Sequence, residues 1–112
     1  MINPTGLHEE EYVRRVLQAY RKTPGTMGTI RRADRMLAKQ LYQRGLSLQV
    51  IEDALVLAAT RRLIRPANAP SLGAIRSLAY FLPVIEEVLD LRVSPDYFAY
   101  LRHKLARVAP TP

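Results

Sequence analysis

Apolar positions recur along almost the whole chain with helical spacing. Tyr12, Val13, Val16, Leu17 and Tyr20 fall at i, i+1, i+4, i+5 and i+8. That is one stripe, and it predicts a first helix over about Leu7 to Lys22. Glu9, Glu10 and Glu11 open it and Arg21 and Lys22 close it, as the helix dipole favours, before Pro24-Gly25 ends it. A second stripe, Ile30, Ala33, Leu37 and Leu41, predicts a helix over about Ile30 to Arg44 with Thr29 as its N-cap. Gly45 suits the left-handed position after a helix end, and Leu46 can fold back on the last turn in a Schellman stop. Ser47 then caps a third helix, about Leu48 to Arg62. Its residues Val50, Ile51 and Ala54 to Ala59 leave almost no polar face after Asp53. A helix apolar nearly all round is a central one.

The second half is more broken. Residues 65–70, Arg-Pro-Ala-Asn-Ala-Pro, read as a loop. Ser71 is placed to cap a segment over Leu72 to Leu82. Pro83 ends or kinks it, lacking an amide hydrogen and clashing with the preceding turn. Val84 to Leu91 continues as a short helix with Pro83 at its first position. Ser94-Pro95-Asp96 is a strong start signal for a last helix over Pro95 to Val108, with Tyr97, Phe98, Leu101, Leu105 and Val108 on one face. No alternation of apolar and polar residues and no hairpin dipeptide marks a strand. The expected fold is an all-α, compact single-domain bundle of five or six helices around a central apolar helix.

A length of 112 residues fits one domain, taken over 1–112 with 1–6 and 109–112 frayed. The absence of cysteine excludes disulfides, thiolate metal sites and cysteine nucleophiles. Only His8 and His103 are present, so a histidine-built metal site is not expected, and no cofactor or metal is anticipated. Nothing approaches the roughly 20 apolar residues of a membrane span. The first residues are short and polar rather than a targeting segment, so a cytoplasmic setting is expected.

Charge adds the most to the picture. Seventeen basic residues stand against ten acidic, a formal charge of +7 with pI near 10.2, and fourteen of the seventeen are arginine. From Tyr12 to Arg44 there are nine bases and one acid, Asp34. Arg31, Arg35 and Lys39 follow one another at i, i+4 and i+8, which stacks like charges about 6 Å apart along one helix face. Phosphates of a nucleic acid relieve that repulsion; a solvated face partly offset by Asp34 is the competing reading. Arg61, Arg62 and Arg65 form a second group, with Arg14, Arg15 and Arg76 in support.

No catalytic constellation is visible, so no enzyme is expected. Glu52-Asp53 and Glu86-Glu87 are adjacent pairs that project in different directions on a helix. The two-glycine stretch 23–29 lacks the Lys-Ser/Thr of a P-loop and reads as a connector. Residues Leu37 to Leu57 outline a helix-turn-helix, but the recognition positions offer Gln49, Glu52 and Asp53 without a cation, so two core helices are the better reading. Phe81 reads as core. Tyr80, beside Arg76, is either core or an exposed ring able to stack on unpaired bases.

The run Gly45-Leu46-Ser47 followed by Ile51 and Ala54-Leu55 has the form G-x-S-x-x-x-I-x-x-A-L. Together with Ile75-Arg76-Ser77-Leu78-Ala79-Tyr80-Phe81-Leu82-Pro83-Val84-Ile85, it resembles the C-terminal helical domain of DnaD-type primosomal and phage replication proteins. The likeness runs from Ala33 to Leu89. Tyr80 and Val84 match the family's Tyr and Ile, whereas Val88 stands in the place of its Trp and Pro83 interrupts its regular helix. The resemblance implies DNA binding and protein contact during replication initiation or helicase loading, with DNA contact carried over to Tyr80 alone.

The expected function is therefore non-enzymatic nucleic-acid binding, DNA rather than RNA, in replication or a mobile genetic element, with a larger protein of that system as a further partner. The alternative is an adaptor or accessory subunit whose basic face docks an acidic protein.

Overall fold

The computed structural model describes residues 7–91 and 95–108, with side chains described at 7–90 and 99–107. Five α-helices and one short 3-10 helix follow in order. They are α1 (Glu9–Lys22), α2 (Arg32–Gln43), α3 (Leu48–Leu63), a 3-10 turn (Leu78–Phe81), α4 (Leu82–Leu91) and α5 (Pro95–Val108). The all-α bundle is as expected, and α3 is its axis: α1, the 3-10 turn, α4 and α5 all pack on it. Its Ile51, Ala54, Leu55, Leu57, Ala58, Ala59 and Thr60 are buried. The expected cap of α5 at Ser94, the faces of Tyr97, Phe98 and Val108, and the two frayed ends lie outside the described residues.

The stripe of α1 is buried at all five positions. Two tyrosines set the antiparallel register of α1 and α2. The Tyr12 and Tyr42 rings meet edge to face at 5.2 Å. The Tyr42 hydroxyl donates to Leu7 O (3.1 Å) and the Tyr12 hydroxyl to Leu46 O (2.9 Å). Burial pushes the Tyr12 phenol up to about 12. At the α2–α3 corner the Schellman stop forms as read. Gly45 has φ 76°, Leu46 N–H donates to Leu41 O and Gly45 N–H to Tyr42 O. Ser47 Oγ accepts from Val50 N–H at 3.1 Å, as an N-cap should.

Two sequence expectations fail, and one residue links the failures. The second helix begins at Arg32, with Arg31 rather than Thr29 at its N-cap. Asp34 decides this. Its carboxylate is 2% exposed, and Oδ2 accepts the Arg31 N–H at 2.9 Å, the reach-back half of a capping box. Its Oδ1 accepts the Leu78 N–H at 2.9 Å. That second bond starts the 3-10 turn at Leu78, so the expected helix over Leu72 to Leu82 does not exist, and Ser71 caps nothing. Residues 72–77 form no helix, because Ile75 is bridged to the α1–α2 connector. Ile75 N–H donates to Gly25 O (2.7 Å), and Ile75 O accepts from Met27 N–H (3.0 Å). Those bonds engage the backbone groups a helix would use. The break expected at Pro83 is realised as the change from 3-10 to α geometry just before it.

Candidate nucleic-acid interface

The outward sides of α1 and α2 border a groove of about 930 Å³. Val13, Leu17 and Ile30 lie along it, α1 contributes Arg14, Arg21 and Lys22, and α2 contributes Arg35 and Lys39. Because the helices are antiparallel, the C-terminal end of α1 lies beside the N-terminal end of α2. Arg21, Lys22, Arg31, Arg32 and Arg35 therefore gather at one end, while Glu9 and Glu10, in the first turn of α1, line the other. Arg31 stands at the N-cap, so only Arg35 and Lys39 of the predicted row lie within the helix, joined there by Arg32.

Ion pairing sorts the cations into two kinds. Arg14 and Arg15 both bind Glu11, at 2.7 and 2.9 Å, and Arg14 followed by Arg15 holds the Glu11 carboxyl below its ordinary value. Arg44 binds Glu86 (2.7 Å) and Arg102 binds Asp53 (2.6 Å). Arg61 grips Glu87 with both terminal nitrogens, at 2.6 and 2.5 Å, and lowers its pKa. The adjacent acids Glu86 and Glu87 thus diverge to different arginines. Among the described residues, Arg21, Lys22, Arg31, Arg32, Arg35, Lys39, Arg76 and Arg107 are exposed and form no ion pair.

Arg61, Arg62, Arg65 and Tyr80 come together in a second place, at the end of α3. These arginines are engaged. Arg62 donates to Gly73 O (2.6 Å) and the Tyr80 hydroxyl (3.2 Å), and its guanidinium lies 5.6 Å from the Tyr80 ring centroid. Arg65 donates to Pro70 O at 2.5 Å. Tyr80 is exposed, whereas Phe81 is fully buried. The helix-turn-helix positions are also engaged: Gln49 donates to Asp53 (2.7 Å), and Asp53 carries the Arg102 ion pair. His8 and His103 are both exposed, and no cluster able to hold a metal occurs among the described residues. No described helix is long and apolar enough to cross a membrane.

Sequence spacing found Arg31, Arg35 and Lys39 but passed over Arg32, beside them at the start of α2, and over Arg21 and Lys22, which join them only once α1 and α2 are known to be antiparallel. Comparison with protein-family models, curated proteins and solved structures returns no match.

Proposed function

We propose that this chain binds nucleic acid without catalysing a reaction, and that DNA is its target in replication or a mobile genetic element. The interface is the basic end of the α1–α2 pair, with Arg31, Arg35 and Lys39 as its principal phosphate contacts and Arg21, Lys22 and Arg32 around them. One observation carries the reading: these cations are exposed and, among the described residues, without a carboxylate partner. Arg31 and Arg32 also stand at the positive end of the α2 dipole, where a cation is disfavoured and an anion welcome. Arg61 and Arg62 contribute long-range field rather than forked contacts, since both terminal nitrogens of each are already engaged, and Arg65 has one terminal nitrogen on Pro70 O.

The test is binding of random-sequence duplex as a function of salt. Each phosphate contact releases about one counterion, a slope near −0.9 in log K against log salt. Replacing Arg31, Arg35 and Lys39 together by Gln flattens the slope by about two to three units and weakens binding alike across sequences. Unchanged binding in the triple variant overturns the proposal.

A further inference from the structure

We infer that the apolar, arginine-bearing patch at the end of α3 docks an acidic amphipathic segment of a partner protein. Leu63, Leu72 and Tyr80 are 40%, 47% and 45% exposed, unusual for large apolar side chains so close together. They border two neighbouring hollows of about 330 and 280 Å³, which share Arg62, Arg65 and Leu72. Small-molecule sites run from roughly 300 to 1,000 Å³. Two hollows at the bottom edge of that range suit single anchoring side chains rather than a cofactor.

The polar groups of the patch favour a protein over a nucleic acid. Carbonyl oxygens of Gly73 and Pro70 each accept from one terminal nitrogen of Arg62 and Arg65, which orients the guanidinium groups and leaves their charge un-neutralised. Arg62 covers the Tyr80 ring, and Phe81 packs edge-on against it at 5.2 Å, which restricts stacking by a base. Two bulky aliphatic side chains complete the surface. Rigid Arg and Tyr beside exposed leucine form a preorganised anchor that loses little entropy on binding. No acid occurs from residue 60 to residue 85, and Glu87 at the rim is held by Arg61. The complementary occupant therefore brings apolar side chains over Leu63 and Leu72 and carboxylates beside Arg62 and Arg65. This docking is separable from the nucleic-acid reading, because it uses none of its principal contacts, Arg31, Arg35 and Lys39, although Arg62 and Arg65 add to the field of both.

The experiment uses the full chain, immobilised, and a displayed library of random short peptides. Selected peptides are expected to combine apolar residues with Asp or Glu. A synthetic copy of one such peptide should lose about tenfold or more in affinity for the Leu63→Ser, Leu72→Ser double variant, the scale of losing an interface anchor. Arg65→Glu, which leaves the apolar surface intact, should also weaken it and remove its salt sensitivity. Arg35→Gln with Lys39→Gln should leave peptide binding unchanged while weakening duplex binding. The inference is overturned by any of four results. No peptide is enriched; enriched peptides are basic or bind the leucine variants equally well; the leucine variants lose self-association in sedimentation, which makes the patch a contact between copies; or they lose DNA binding as fully as the Arg31, Arg35, Lys39 variant.

Discussion

At the scale of single residues, Asp34 departs furthest from its sequence reading. In a segment of nine bases it reads as a surface acid that moderates repulsion. In the fold it faces inward and satisfies two backbone donors from segments far apart in the chain. Only its position three residues after an N-cap hinted at this, and the cap itself was misplaced. Asp34→Ala strands both N–H groups, one of them buried, and should lower the unfolding free energy by about 2–5 kcal/mol in urea titration. Asp34→Asn keeps one acceptor and turns an amide donor toward the other N–H, so about 1–3 kcal/mol is expected. Leu55, by contrast, was legible because the apolar surface of α3 leaves it nowhere to go but inside. It is 3% exposed, and Leu55→Ala should cost about 2–5 kcal/mol, the range for a buried leucine cavity.

Among the elements, the α2–α3 corner was legible because residue types with one local use close it, whereas the segment over residues 72–77, closed by a distant partner, was not. Gly45 and Ser47 stop α2 and start α3 with bonds to neighbours in sequence, and both ends fall where residue type alone puts them. Gly45→Ala puts a Cβ into left-handed backbone, and about 1–2 kcal/mol should be lost. Residues 72–77 have apolar spacing compatible with a helix, but Ile75 is claimed by the α1–α2 connector, a partner no local rule names. The contact of α3 with α4 gives a pH test. Arg61 depresses the Glu87 pKa in the folded state, so the pair stabilises above the ordinary carboxylate range, where Glu87 is ionised in both states. Its contribution is lost as pH falls through the depressed folded value. Acid unfolding followed by circular dichroism should therefore be less steep in Glu87→Gln. An identical acid limb would show that the pair contributes nothing measurable.

For the molecule as a whole, the +7 charge was plain from composition, but its division into paired and unpaired cations was not. Among the described residues, five ion pairs couple positions from three to forty-nine apart, and the longer couplings are set by helix packing. Among the described residues, six of the cations left outside those pairs, Arg21, Lys22, Arg31, Arg32, Arg35 and Lys39, lie at or near one end of α1 and α2, where like charges oppose the compact state. Replacing Arg31, Arg35 and Lys39 by Gln should accordingly leave stability unchanged or slightly raised at low salt. The difference in thermal midpoint between low and high salt should narrow. A lower midpoint in the triple variant would mean that these side chains serve the fold.

The bridge at Ile75 and the two bonds on Asp34 tie together the α1–α2 connector, the start of α2 and the segment that leads into the 3-10 turn. Four amides, those of Met27, Arg31, Ile75 and Leu78, have these ties as their partners among the described residues. Amide exchange with deuterium reads such a unit directly, since protons released by one opening event exchange with a common free energy. In the native protein these four should exchange as a set, slower than their loop positions suggest. In Asp34→Asn they should quicken together while the amides of central α3 keep the pace of global unfolding. The seam between the connector and residues 72–78 would then be a cooperative unit of its own, and the orientation of Arg31 would depend on whether that seam is closed.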